Sequence, residues 1–323
     1  MDYVLLILGL ALLLVGAEFL VDSSVAIAKR AKISNFVIGL TIVGMGTSAP
    51  ELFVSIQSAV TGHGDLALGN VVGSNICNIL LILGLTALIF PFPIDKGIHR
   101  RDIPFCILAS VLLMLFASDS WLGLEQNVLS RLDGAFFLLM FVAYMGYTII
   151  KKGKAPQEAL DEADAEAQSR LEGRAPLLLW VIAAASLAAL LWGGNLFLDA
   201  AKNLARAWGM SEAVISITIV AVGTSLPELI TSVVAGLKHN TALALGNILG
   251  SCVFNILMIL GLASVINPLV ITDINVVDYL MMILAAVLCW VVSYTFKKAT
   301  FDRAEGAIFL AIYVAYTVYL FMR

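Results

Sequence analysis

Long apolar runs separated by short polar connections dominate the chain. A helix needs about 20 apolar residues to cross a bilayer. Ten segments fit that template, at about 3–28, 36–61, 66–90, 102–118, 132–150, 176–200, 212–236, 241–266, 276–296 and 304–322. The first and sixth run on past their apolar stretch, to near Arg30 and Arg206, as long tilted spans do. The first opens Met1-Asp2-Tyr3 without a basic region, and its apolar run reaches about Ala28. That is too long for the core of a signal peptide and long enough to span. The largest hydrophilic stretch, 151–175, contains the run Asp-Glu-Ala-Asp-Ala-Glu. It lacks the glycine turn and ligand spacing of a calcium-binding loop and reads as a solvated linker, too short to hold a domain of its own.

Composition agrees with a chain built for lipid. Of the 323 residues 61% are hydrophobic and 13% charged, with mean hydropathy +0.98; soluble proteins carry about a quarter charged residues. The net charge of -4 carries little information, and the sequence offers no basic face for nucleic acid. Cys77, Cys106, Cys252 and Cys289 lie in apolar runs without paired spacing, which argues against a disulfide framework or a zinc site. The connections after odd-numbered spans hold 15 of the 19 Lys and Arg residues; the even connections and the C-terminus hold Arg131, Lys202, Arg206 and Arg323. Basic residues stay on the cytoplasmic side. The expectation is a multi-pass protein of the cell (inner) membrane, with both termini outside and 151–175 in the cytoplasm.

The chain contains an internal repeat. Residues 34–89 align with 211–266 at a constant offset of 177 without a gap, about half of the pairs being identical. The centres are GTSAPEL (46–52) with GTSLPEL (223–229), and LALGNVVGSNICNILLILGL (66–85) with LALGNILGSCVFNILMILGL (243–262). Gly16 pairs with Gly193 and Asp22 with Asp199. Each half then holds five spans, an odd number, so the second half enters the membrane from the opposite side. Such inverted repeats place substrate near the midplane between the halves, on discontinuous helices. The predicted fold is an all-α membrane protein of ten transmembrane helices, arranged as two inverted five-helix repeats with broken helices at the midplane. The repeats are 1–150 and 176–323, joined by the 151–175 linker.

Identity concentrates on polar and helix-breaking residues, which packing alone would not select. Glu51 and Glu228 stand deep in apolar segments, where a carboxylate costs about 2.5–3.5 kcal/mol on insertion scales and marks an ion or proton pathway. Thr47 and Thr224 lie one turn before them on the same helix face, flanked by Ser48 and Ser225. Pro50 and Pro227 remove a backbone donor and open the helix, and carbonyls freed at this depth line a cavity or find other partners. On the following span Asn70, Ser74 and Asn78 form a stripe, with Asn247, Ser251 and Asn255 as its twin. The sum is an oxygen cage with two carboxylates. It suits hard cations such as calcium, sodium and magnesium, and it can neutralise one divalent or two monovalent ions. His63, His99 and His239 fall in connections.

These residues resemble the cation/calcium exchanger superfamily, in particular its sodium/calcium exchanger branch in a bacterial form. The resemblance rests on GTSAPE with GNVVGSNICN and GTSLPE with GNILGSCVFN. It implies antiport of calcium for sodium by alternating access, the first and sixth helices sliding against the others. It implies calcium bound by Glu51 and Glu228 with the Thr47 and Thr224 carbonyls. Sodium sites would be completed by Ser48, Ser225, Ser74, Ser251, Asn78 and Asn255, with the carbonyls of Gly44 and Ala221. The partners are then calcium, sodium and the bilayer, with no cofactor, no enzymatic step and no obligatory protein partner. The sequence departs from the pattern at Asn255, where many relatives carry aspartate, and this bears on stoichiometry, potassium dependence and proton sensitivity. Cys252 replaces the asparagine found at position 75 and is expected to be a packing residue. Proton/calcium or potassium-dependent exchange is the second reading, and a passive cation channel a remoter one. GHGD (62–65) matches the pattern of intramembrane aspartyl proteases, but no second Tyr-Asp motif accompanies it in any span.

Overall fold

A computed structural model describes residues 1–94, 97–119, 126–152, 169–210, 221–292 and 300–322. The helices in chain order are α1 (Asp2–Ala31), α2 (Asn35–Thr47), α3 (Ala49–Val60), α4 (Gly64–Ile89), α5 (Ile103–Phe116), α6 (Arg131–Lys152), α7 (Pro176–Ala207), α8 (Leu226–Leu237), α9 (Thr241–Ile266), α10 (Val276–Val292) and α11 (Arg303–Met322). Among the described residues six helices are long and apolar enough to cross a membrane, or seven if the bent pair α2 and α3 is one span. The helices α1 and α7 run for 30 and 32 residues and end beside Arg30 and Arg206, as their apolar runs suggested. Much of the 151–175 linker and the first part of the 212–236 span lie outside the described residues.

The chain divides into two compact units, and each draws on both halves of the sequence. Unit 1 is Met1–Ser48 with Thr148–Gly250; unit 2 is Ala49–Tyr147 with Ser251–Arg323.

Unit 1 is built on the pairing of α1 with α7. Lipid is as apolar as leucine, so membrane helices associate through close packing and polar contacts, and small residues let backbones approach. Gly16 and its repeat partner Gly193 serve this purpose. A Cβ on Gly16 would stand 2.9 Å from the backbone nitrogen of Leu190, and one on Gly193 would stand 2.7 Å from the Cβ of Leu12. Leu13, Ala17, Leu20, Val21 and Leu190 fill the seam.

The polar end of the same unit is held by charge. Lys238 donates to Asp22 Oδ1 at 2.7 Å and to the carbonyl of Glu18 at 3.3 Å. Ser169 Oγ donates to the carbonyl of Asp22, Lys29 pairs with Glu172 and Arg170 with Glu18. Asp22 is 2% exposed, whereas the side chain of its repeat partner Asp199 is 72% exposed beside Lys202. The repeat therefore carries one sequence into two different surroundings.

Unit 2 packs α4 against α11 and α5 against α10, and it contains two short antiparallel strand pairs. β1 (Phe92–Pro93) pairs with β4 (Thr300–Phe301), and β2 (Asn127–Leu129) with β3 (Leu269–Ile271). β3 is the repeat partner of β1 at the offset of 177. Each pair thus joins one sequence half to the other.

The repeat also extends beyond residue 89. With five residues fewer between them, α6 and α11 align at an offset of 172: Arg131 with Arg303, Gly134 with Gly306, Phe137 with Phe309 and Tyr144 with Tyr316. Contacts repeat with the residues. Ser130 N donates to Asp133 Oδ2 and Asp302 N to Glu305 Oε2. Tyr144 OH donates to Asp102 Oδ1 at 3.0 Å, and Tyr316 OH to Asp278 Oδ1 at 2.9 Å.

Candidate ion-binding residues

The break expected around Pro50 is present. Helix α2 stops at Thr47, Ser48 leaves the helical region at φ -80° and ψ 13°, and α3 departs at 49° to α2. Ser225 repeats the geometry at φ -88° and ψ 10° ahead of α8. In both places proline stands early in the new helix, where no intrahelical donor is needed. The proline therefore costs little for the second helix while it denies a donor to the first.

Besides Ile98–Asp102, which lies just before α5, three of the described turns close to the candidate residues are wider than an α-helix. Gly39–Val43, Cys77–Leu83 and Phe254–Leu260 are π-helical, and the last two are repeat partners holding Asn78 and Asn255. Widened turns often mark functional positions. The stripe read from the sequence runs into two of them at Asn78 and Asn255, where the wider turn departs from the single helical pitch that i, i+4 spacing assumes.

In unit 1, Glu228 is 1% exposed and Ser48 Oγ donates to its Oε1 at 2.9 Å. Its Oε2 has no hydrogen-bond partner among the described residues. Thr47 Oγ1 donates to Asn247 Oδ1 at 3.2 Å and lies 3.4 Å from the carbonyl of Gly44. That carbonyl also accepts from Ser48 N at 3.2 Å. Ser225 is buried, Thr224 partly so, and Ala221 opens a short helical turn ending at Gly223.

In unit 2, Glu51 is likewise 1% exposed, and Ser74 Oγ donates to its Oε1 at 3.3 Å. Asn78, Ser251 and Asn255 are buried, and neither Asn78 Oδ1 nor Asn255 Oδ1 has a hydrogen-bond partner among the described residues. The predicted residues thus form two sets. Gly44, Thr47, Ser48, Ala221, Thr224, Ser225 and Glu228 belong to one unit, and Glu51, Ser74, Asn78, Ser251 and Asn255 to the other.

Asn70 and Asn247 act as braces. Asn70 Nδ2 donates to the carbonyl of Glu51 at 3.3 Å and to Ser55 Oγ at 3.0 Å. Asn247 Nδ2 makes the same two bonds to Glu228 and Ser232, at 3.3 and 2.8 Å. Every residue in these four contacts is related to its counterpart by 177. One amide therefore fixes the main chain of the acid-bearing residue in each unit, from the neighbouring helix.

Each unit thus holds a buried carboxylate met by a serine hydroxyl, with the main-chain carbonyl of the acid braced by an asparagine; oxygen donors of these kinds are the ones hard cations take. The sequence pattern described as sodium/calcium exchanger protein matches residues 1–150 and 178–322. The chain belongs to the sodium/calcium exchanger family. Whole-chain relatives include CaxA of Alkalimonas amylolytica, 38% identical over 329 residues and 98% of each chain. The sodium/calcium exchanger MaX1 of Methanosarcina acetivorans is 32% identical, over 99% of this chain and 98% of its own. Among solved structures, the sodium-calcium exchanger NCX_Mj soaked in 10 mM sodium without calcium has a TM-score of 0.80 at 30% identity, covering 97% of both chains. The chain is therefore a membrane transporter of the cation/calcium antiport type.

Proposed function

We propose that this exchanger moves calcium out against sodium in, or the reverse, by alternating access, and that Glu51 and Glu228 ligate the calcium ion. The carbonyls of Thr47 and Thr224 assist them. Ser48, Ser225, Ser74, Ser251, Asn78 and Asn255, with the carbonyls of Gly44 and Ala221, serve sodium. The observation that carries this reading is the matched chemistry of the two acids. Each is 1% exposed, and each takes a serine hydroxyl on Oε1 while its main-chain carbonyl is braced by an asparagine. Two carboxylates balance one calcium or two sodium ions, so neither ion leaves a bare buried charge when the other departs.

The architecture proposed is two five-helix repeats, 1–150 and 176–323, of opposite orientation and joined by 151–175, with both termini outside. Support comes from the cross-pairing of β1 with β4 and β2 with β3, and from the repeated tyrosine–aspartate contacts.

The test is radiolabelled calcium uptake into proteoliposomes under separate sodium, potassium and proton gradients. Uptake driven by a sodium gradient and opposed by acid, which competes for carboxylate ligands, is expected. Uptake indifferent to sodium and driven by a pH gradient would instead assign proton coupling. Uptake coupled to no gradient would make the protein a channel.

A further inference from the structure

Asn75 follows Ser74 on α4 and is 1% exposed. Its Nδ2 donates to the carbonyl of Cys252 at 3.2 Å. A backbone carbonyl only accepts, so this contact fixes which end of the Asn75 amide is which. Asn75 Oδ1 consequently faces Asn255 and accepts from its Nδ2 at 3.1 Å. The orientation of Asn255 follows in turn. Its amino group is used, and its Oδ1 is left buried with no hydrogen-bond partner among the described residues. Two amides in series have a single direction, set by a main-chain oxygen at the far end.

We propose that Asn75 is a positioning and specificity-determining residue, which selects an amide over a carboxylate at position 255 and holds the Asn255 carbonyl oxygen as an ion ligand. A carboxylate at 255 would set oxygen against the Oδ1 of Asn75. Turning the Asn75 amide to relieve that contact would set its oxygen against the carbonyl of Cys252. Either arrangement leaves two buried acceptors face to face, with no proton between them. The neutral residue at 255 is therefore built into α4, and the anionic charge of the ion ligands is that of Glu51 and Glu228. The repeat puts Cys252 and Asn78 at the related positions, and a thiol, a weak donor and weak acceptor, cannot relay an amide's orientation. Among the described residues the device exists once.

This inference rests on the reading of Asn255 as an ion ligand, and the experiment separates the two. Full-length Asn75→Ser, Asn255→Asp, Asn255→Ala and the double variant Asn75→Ser with Asn255→Asp are reconstituted, and sodium-driven calcium uptake is measured against sodium concentration. The single Asn75→Ser variant is expected to raise half-saturating sodium severalfold with maximal rate within about twofold, because Asn255 loses its fixed orientation. The Asn255→Asp variant is expected to lose at least tenfold in rate. Adding Asn75→Ser, whose hydroxyl can donate to the new carboxylate, recovers most of that loss and alters the dependence on potassium. A purely structural Asn75 would give no such pair-specific rescue. Wild-type sodium dependence in Asn75→Ser, or Asn255→Asp equally inactive with either residue at 75, overturns the proposal. Wild-type transport by Asn255→Ala removes the ligand reading itself, and the role of Asn75 with it.

Discussion

Replacing Asn247 by alanine tests whether the amide braces hold the acid-bearing residues in place. The side chain is fully buried and makes three hydrogen bonds: to Ser232 Oγ at 2.8 Å, to the carbonyl of Glu228 at 3.3 Å, and from Thr47 Oγ1 at 3.2 Å. A hydrogen bond contributes about 1 kcal/mol net, and an abandoned buried partner costs about 1–3 kcal/mol. Thr47 keeps a long contact to the carbonyl of Gly44 at 3.4 Å, which softens one of the three losses. The expected destabilisation is about 3 kcal/mol. Asn70→Ala removes the two homologous bonds from a half-buried side chain, where water replaces part of the loss, and should cost about 1–2 kcal/mol. At roughly 1.5 °C per kcal/mol, from about 2.1 cal/mol/K of unfolding entropy per residue over 323 residues, the midpoint of thermal unfolding in detergent should fall by roughly 4–5 °C for Asn247→Ala. The fall for Asn70→Ala should be about one to two thirds of that. Calcium uptake should drop in both, since the carbonyl of each acid-bearing residue loses its support. Thr47→Val combined with Asn247→Ala should cost about 1 kcal/mol less than the sum, because the two share a bond. Equal midpoints for the two alanine variants, or a fall below about 3 °C for Asn247→Ala, would refute the assignment of these amides as braces.

Other outcomes follow from the same contacts. Glu51→Gln and Glu228→Gln should each abolish calcium uptake while the protein still inserts; normal uptake by either would remove it from the ligands. Lys238→Met strands the carboxylate of Asp22, which is 2% exposed, whereas Asp22→Asn leaves an ammonium that is 22% exposed and 3.9 Å from Glu18. Removing one partner of a fully buried pair costs about 3–5 kcal/mol, so unfolding should shift by several degrees for Lys238→Met and by clearly less for Asp22→Asn. The reverse order, measured in the same melting assay, would show that the pair is governed by solvent.

The apolar runs, the offset of 177, the position of each acid and the break at each proline were legible in the sequence. All follow from local rules: the length a helix needs to cross a bilayer, the donor that proline lacks, and the cost of a carboxylate in lipid. The paired motifs also named the family. Asn70 and Asn247 could be seen as polar residues one face apart, but what they hold could not. A hydrogen bond between Asn247 and Thr47 joins residues 200 positions apart, and no periodicity encodes it. The π-helical turns at Cys77 and Phe254 break the pitch on which a stripe is drawn. The second register of the repeat, at 172, was open to inspection in α6 and α11 and became visible once Tyr144 and Tyr316 were found bonded to matching aspartates. Asn75 marks the limit most clearly. In sequence it is one more asparagine beside a twin that became cysteine. Its direction as a hydrogen-bond relay exists only because a main-chain oxygen at Cys252 and an amide at Asn255 stand on either side of it. That polarity is a property of contacts between distant segments, and only the folded chain supplies it.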